Sequence, residues 1–171
     1  MKTALPVAQT PLAARLTALV LTSLVLVGVA VFPQLSARIA GDEYLLRVAP
    51  LDPIEPARGA YVALGYPDLN PRADGRFGPV DDGAHQGTVF LTLEKDGEYW
   101  KGKGFTRSRP DEGVYLQCSD RNWAVSCGIE SWFLPQDEAA EMEQAVSGGT
   151  ATAVVRIDGR GHAALVDVRT D

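Results

Sequence analysis

Cysteine and histidine are scarce in this chain of 171 residues, which contains two of each. Cys118 and Cys127 are too far apart for a C-x-x-C redox motif. A zinc site would need His85 and His162 to join the cysteines, and these positions do not have the spacing of zinc ligands. The sequence therefore predicts neither a metal site nor a cofactor.

Catalytic motifs are also missing. The sequence contains no G-x-S-x-G elbow, no phosphate-binding loop and no H-E-x-x-H motif. Asp81 and Asp82 could ligate a hard cation, but adjacent acids in a glycine-rich loop are usually just solvated. His85 lies in the same loop and His162 opens a predicted strand, positions more typical of surface or edge residues than of a catalytic base. No catalytic residue is predicted.

Acidic residues are absent before Asp42, although the chain has 22 of them against 16 basic residues. Lys2, Arg15 and Arg38 are the only charged residues before that point, so residues 42–171 carry 13 basic and 22 acidic side chains and a formal charge of −9. Such a domain does not bind nucleic acid or an anionic membrane surface by electrostatics. Solubility alone is the simpler explanation for its charge.

Residues 16–37 contain no charged side chain, and Arg15 and Arg38 flank them. A helix needs about 20 apolar residues to cross a bilayer, so this segment is predicted to be a transmembrane anchor in contact with lipid. Residues 1–15 then form a cytoplasmic N-terminus under the positive-inside rule. The chain is accordingly predicted to be a single-pass protein of the bacterial cytoplasmic membrane, with residues 42–171 in the periplasm.

A cleaved secretory signal peptide is the alternative to an anchor. Gly28-Val29-Ala30 is a weak small-x-small cleavage site. The apolar run continues beyond that site through Val31, Phe32 and Leu35. The length of the run favours the uncleaved anchor.

The remaining residues, 42–171, suit one domain with its own core. The fold class is predicted to be mainly β (α+β): the transmembrane helix is followed by a single antiparallel β-rich domain with one short amphipathic helix. Glycine-containing turns at 94–97 and 158–161 predict two hairpins. The segments with strand-like patterns are residues 43–48, 61–66, 88–93, 98–105, 151–157 and 162–168.

One helix is predicted after Pro135, with Asp137 and Glu138 near its positive end and Gly148-Gly149 as its stop. Ala139, Met142 and Val146 form a narrow apolar face of this helix. Residues 67–86 are rich in proline, glycine and aspartate, and this composition predicts a long surface loop.

The two cysteines lie between strand-like runs. If residues 119–123 contain the turn, Cys118 and Cys127 can face each other on adjacent strands and form a disulfide in an oxidising compartment. Unpaired buried thiols are the alternative.

A resemblance to a known family begins at Gly59. Gly59, Tyr61, Leu64 and Tyr66 stand at the spacing of Gly-Asp-Tyr-x-x-Leu-x-Tyr, and this run resembles the bacterial membrane-anchored GDYXXLXY family. Pro50-x-Asp52-Pro53 and Arg58 are similar to the stretch before that motif. Residues 128–133, followed by the helix after Pro135, are similar to the family's second block. Ala60 stands where the family has aspartate, which puts any role of that carboxylate in doubt.

The family has no established activity, and its members are expected to accompany polytopic membrane proteins. The resemblance therefore implies a non-catalytic accessory or binding partner of such a protein. The motif residues allow two interpretations. They either have a structural role, in the core and at a strand edge, or form a recognition surface. The residues predicted to contribute to binding are Arg58, Gly59, Tyr61, Leu64, Tyr66 and Glu130.

The alternative function is an envelope enzyme acting through residues 67–86 with Asp81, Asp82 or Glu130, or a degenerate relative of serine-lysine signal peptidases. The pattern of Pro53 followed by Arg58-Gly59 is loosely similar to the signal-peptidase pattern. Pro50 and Leu51 occupy the positions where its serine would fall. Lys101 and Lys103 could supply a general base, but a base without its nucleophile has no activity.

Overall fold

The computed structural model describes residues 11–50, 61–69, 87–121, 124–135, 142 and 144–170. The chain divides into two compact units, one up to Pro33 and one from Gln34 to the C-terminus. The second unit contains all the strands described below.

Helix α1, Leu12–Ala40, contains the predicted anchor and extends beyond it at both ends. It is long and apolar enough to cross a membrane. Two of its hydroxyl groups do not oppose this, because Thr17 Oγ1 donates to Ala13 O at 2.9 Å and Ser23 Oγ donates to Leu19 O at 2.9 Å. Each of these bonds satisfies the side chain within the helix.

The second unit is built mainly from antiparallel strands, as the sequence predicts. The strands are β1 Asp42–Arg47, β2 Ala49–Pro50, β3 Tyr61–Gly65, β4 Gly87–Asp96, β5 Tyr99–Thr106, β6 Val114–Arg121, β7 Ala124–Ser126, β8 Ser131–Phe133, β9 Ala151–Ile157 and β10 Ala163–Thr170. They form one three-stranded sheet of order β1-β9-β10, a second of order β2-β3-β8 and a four-stranded sheet of order β5-β4-β6-β7.

Both predicted hairpins form; the β4–β5 turn is tighter than the sequence suggests, and the β9–β10 turn is one residue longer because β10 begins at Ala163. β4 and β5 pair as far as Asp96 with Tyr99, so only Gly97 and Glu98 lie between them. Gly97 has a φ of +67°, and Gly161 in the β9–β10 turn has a φ of +82°. Glycine adopts this left-handed conformation without a steric penalty.

The short helix is described in part: residue 142 and residues 144–147 are helical. Its stop is where the sequence predicts it, since Gly148 N donates to Gln144 O at 2.8 Å and Gly149 has a φ of +71°. Val146 is buried, and Met142 packs against the core. Asp137, Glu138 and Ala139 lie outside the described residues.

The core joins all three sheets. Its largest fully buried side chains include Tyr66, Leu46, Leu64, Leu91 and Leu116. The segment predicted as a loop at 67–86 begins differently from the prediction. Its first three residues, Pro67–Leu69, form a 3-10 turn that buries Leu69, because this apolar side chain packs into the core next to β5. The rest of that segment, residues 70–86, lies outside the described residues.

Candidate functional site

The motif strand β3 lies at the centre of its sheet, between β2 and β8. Tyr61, Val62 and Ala63 pair with β8, and Leu64 N donates to Glu130 O at 2.9 Å just beyond it. Leu64 and Tyr66 are each 1% exposed. The two motif side chains therefore belong to the core and are not part of the exposed surface.

The hydroxyl group of Tyr66 is buried and satisfied. It donates to Ile129 O at 2.6 Å. Burial, together with the negative charge of Glu130, raises the pKa of Tyr66 far above its ordinary value of 10.0. This tyrosine thus joins the motif strand to the 126–130 loop as a neutral hydrogen-bond donor.

Glu130 closes the 126–130 loop with its own carboxylate. Gly128 N donates to Oε2 at 2.9 Å, Ser126 Oγ donates to the same oxygen at 3.1 Å, and Cys127 N donates to Oε1. Gly128 has a φ of +80°, which lets successive N–H groups turn towards one carboxylate. These contacts make Glu130 a structural carboxylate of the loop.

Cys118 and Cys127 form a disulfide, as the sequence predicts. It joins β6, where Cys118 pairs with Val89, to the loop that Glu130 closes. Both cysteines are buried. The motif strand, the 126–130 loop and the disulfide are therefore one connected cluster.

Replacing both cysteines with serine is expected to lower the free energy of unfolding by about 2–3 kcal/mol, because the bridge closes a loop of nine residue positions. Denaturant unfolding of the oxidised and reduced wild-type protein measures the same quantity without a mutation. An equal midpoint for the two redox forms would contradict the prediction.

The structure brings together three of the six predicted binding residues. Leu64, Tyr66 and Glu130 meet across β3 and the 126–130 loop. The backbone of Tyr61, on β3, pairs with that of Phe133 on β8. Arg58 and Gly59 lie outside the described residues. A binding role for these six residues stays a prediction.

A second cluster joins the end of α1 to the β1-β9-β10 sheet, and no local pattern in the sequence indicates it. Its centre is Asp158, whose carboxylate accepts hydrogen bonds from Ser36 Oγ at 2.5 Å, Arg160 N at 2.8 Å and His162 N at 3.0 Å. His162 Nδ1 lies 3.0 Å from Oδ2 of the same carboxylate. Because a carboxylate only accepts hydrogen bonds, Nδ1 carries the proton.

This grouping of serine, aspartate and histidine is not a catalytic triad. Ser36 Oγ and His162 Nδ1 both bind Oδ2 of Asp158, so the carboxylate stands between them. In a triad the imidazole stands between the serine and the carboxylate and removes the serine proton. The cluster therefore holds parts of the fold together and does not activate a nucleophile.

The pKa of Asp158 is lowered from 3.8, because hydrogen bonds from Ser36, Arg160 N and His162 outweigh the burial that would raise it. The bonds to the ionised form thus stabilise the fold above pH 3.8, and this contribution is lost as the pH falls through the lowered pKa.

Asp158→Asn is expected to lower the free energy of unfolding by about 1–3 kcal/mol at pH 7, because it removes the charged acceptor of these bonds. The difference in the free energy of unfolding between wild type and Asp158→Asn should become smaller in acid. Denaturant unfolding of both proteins from pH 7 down to about pH 2.5 measures this difference. A difference that does not change with pH would contradict the role of the Asp158 carboxylate.

A third polar contact is buried within the four-stranded sheet. Arg107 Nη2 donates to Asp120 Oδ2 at 2.5 Å, and the Asp120 side chain is fully buried. The pair lies where β5 ends and β6 approaches β7. Since such a pair is costly to break, it fixes the end of the sheet.

The residues of the enzyme alternatives are not assembled in the described part of the chain. Lys101 lies 3.4 Å from Glu94 on the neighbouring strand, and Lys103 is exposed on β5. Asp81, Asp82 and His85 lie outside the described residues. Within the part that the structure describes, no group of three potential metal ligands occurs.

Comparison with known proteins identifies one family. A family model described as GDYXXLXY protein matches residues 23–168. No curated protein and no solved structure matches the chain. The matched range includes most of α1, the motif strand, the 126–130 loop and the last hairpin as far as residue 168.

Proposed function

The chain belongs to the GDYXXLXY family, and from this we propose that it is a non-catalytic accessory subunit, anchored in the cytoplasmic membrane by α1, whose periplasmic domain binds a polytopic membrane protein. The observation that carries the proposal is the direct continuation of an apolar helix into a β domain. α1 ends at Ala40 and β1 begins at Asp42, so Gly41 is the whole connection. A domain joined in this way works beside the membrane that holds the helix.

The charge distribution and the disulfide support the proposed orientation. All acidic residues follow α1, whereas Lys2 precedes it and Arg15 lies in its first turn, which favours a cytoplasmic N-terminus. Disulfides persist in oxidising compartments such as the periplasm and are rare in the cytosol. The Cys118–Cys127 bridge is therefore consistent with a domain on the outer side of the membrane.

The polar groups of the motif region support binding over catalysis. Glu130 is occupied by N–H and O–H donors of its own loop, and Tyr66 is occupied by Ile129 O. Both groups hold the 126–130 loop that leads into β8, whose Phe133 is 74% exposed. Among the described residues outside α1, Phe133 is the only exposed large apolar side chain. We assign the partner-facing surface to β8 on this basis, with the buried motif residues as its support.

Site-specific photo-crosslinking in native membranes tests the proposal. A photoreactive amino acid at Phe133 is expected to crosslink one polytopic membrane protein reproducibly, and the same probe at Leu24 of α1 should reach that protein or lipid. Lys103, exposed on β5, is the matched control position and should give little of this product. These positions leave the buried core intact, unlike Tyr66→Ala, which would disturb the fold itself.

Recovery of free monomer from every probe position would contradict the proposed binding role. An identical set of products from Phe133 and Lys103 would contradict the assignment of β8. A soluble product crosslinked from Phe133, in place of a membrane protein, would favour an enzyme or carrier function over an accessory subunit.

A further inference from the structure

The last two turns of α1 are part of the folded β domain. Residues 34–40 belong to the second compact unit, together with all the strands. Ala37, on these turns, is completely buried, whereas the apolar residues of α1 before Pro33 are exposed. Chain connectivity alone would leave this segment free to move, so the burial of Ala37 requires specific contacts between the helix end and the domain.

Gly41 is the first such contact, because it lets the helix end approach the backbone of β9. A Cβ atom at this position would lie 2.5 Å from Ala37 O and 2.8 Å from the carbonyl carbon of Ile157. Both of these neighbours are backbone atoms and cannot rotate away. Only glycine therefore fits between the helix end and β9 in this arrangement.

Side chains of the helix end and of the sheet then hold the two together through hydrogen bonds. Ser36 Oγ donates to Asp158 Oδ2 at 2.5 Å, and Arg38 Nη2 donates to Leu165 O of β10 at 3.2 Å. In the opposite direction, Arg156 of β9 donates to Gly41 O at 3.0 Å and to Arg38 O. We call Ser36, Arg38, Gly41, Arg156 and Asp158 the junction cluster.

The junction cluster reaches every strand of one sheet. Arg156 lies on β9, Asp158 follows it, Leu165 O belongs to β10, and Gly41 continues directly into β1. The central strand, β9, pairs with β10 along its whole length and with β1 over residues 152–157. Arg156 also satisfies carbonyl groups at the helix C-terminus, where four carbonyls lack partners within the helix. The helix end is thus held by hydrogen bonds, by close packing and by the chain itself.

We propose that the junction cluster makes residues 34–41 and the β1-β9-β10 sheet one rigid body, so that a tilt or rotation imposed on this end of α1 moves the sheet directly. This device is distinct from the proposed binding function and does not require the partner to be known. It gives a membrane protein a physical means of changing the position of the domain through the helix end. A flexible linker at residues 38–41 would remove that means.

Distances between two spin labels in the full-length protein, reconstituted in nanodiscs, test the proposal. Ile39→Cys and Thr170→Cys place the labels on the helix end and on β10, both at exposed positions. The native cysteines do not react because they form a disulfide. The expected result is one narrow distance distribution, which broadens at least about twofold in Ser36→Ala/Arg156→Gln, since local contacts limit such motion.

Ser23→Ala is the matched control, because Ser23 bonds only to Leu19 O within α1. This variant should keep the narrow distribution. If the double variant does not fold, Arg156→Gln alone provides the second test and should broaden the distribution in the same way, because it removes the hydrogen bonds to Gly41 O and Arg38 O. A broad distribution with the unsubstituted junction, or a narrow one in the folded double variant or in Arg156→Gln, would overturn the proposal.

Discussion

Tyr66→Ala is expected to lower the free energy of unfolding by about 3–5 kcal/mol, because it removes a fully buried aromatic ring from the core. Tyr66→Phe should cost less, about 1–2 kcal/mol, since it keeps the ring and leaves only Ile129 O without its donor. Chemical denaturation of the full-length protein in detergent, followed by tryptophan fluorescence, measures both values.

The pH dependence separates the hydroxyl group from the ring. The raised pKa of Tyr66 means that the folded state keeps its proton when the unfolded state loses it above about pH 10. The stabilising contribution is therefore complete below pH 10 and falls as the pH rises beyond it. Because Tyr66→Phe has no hydroxyl group at this position to lose a proton, its free energy of unfolding should fall less than that of the wild type as the pH rises above about 10.

Tyr44→Phe is the matched control for Tyr66→Phe, because Tyr44 is only partly buried and packs edge-on against Trp100. We expect it to change the free energy of unfolding by less than about 0.5 kcal/mol. Equal costs for the two tyrosine-to-phenylalanine changes would show that the bond from Tyr66 to Ile129 O does not support the motif region.

Gly41→Val is expected to lower the free energy of unfolding by about 3 kcal/mol or more, because the added side chain meets backbone atoms of Ala37 and Ile157. For a domain of this size the loss corresponds to a decrease in Tm of roughly 10 °C. Thermal unfolding of the full-length protein in nanodiscs checks this value.

Gly104→Ala provides the control for the glycine substitution. A Cβ atom at Gly104, on β5, meets nothing within 4 Å. Its replacement should change Tm by no more than about 2 °C. A Gly41→Val protein as stable as Gly104→Ala would mean that the helix end does not pack against β9.

Local sequence patterns were sufficient for much of the fold. Gly97 and Gly161 marked both hairpins because each turn depends on a few adjacent residues, and Gly148-Gly149 marked the end of the short helix for the same reason. The spacing of Cys118 and Cys127 was compatible with a bridge across neighbouring strands. The absence of charge over residues 16–37 indicated a long apolar helix.

Contacts between distant residues could not be predicted in this way. Ser36 and Asp158 are 122 positions apart, and no periodicity links a serine near the end of a helix to a hairpin turn. The burial of Tyr66 also depends on tertiary packing, because alternation along residues 61–66 does not show which face meets the core. The motif spacing therefore leaves both interpretations open, a structural role and a recognition surface, and only tertiary packing shows that Leu64 and Tyr66 lie in the core.

The intact mass of the full-length protein after labelling in spheroplasts tests the central claim most directly. Lys103→Cys is treated with a membrane-impermeant maleimide before lysis, and the mass of the chain from the membrane fraction is measured. We expect a chain that retains α1, carries one label and keeps the Cys118–Cys127 disulfide. A chain without residues 1–30, or an intact chain that is labelled only after lysis, would contradict a retained anchor with its domain in the periplasm.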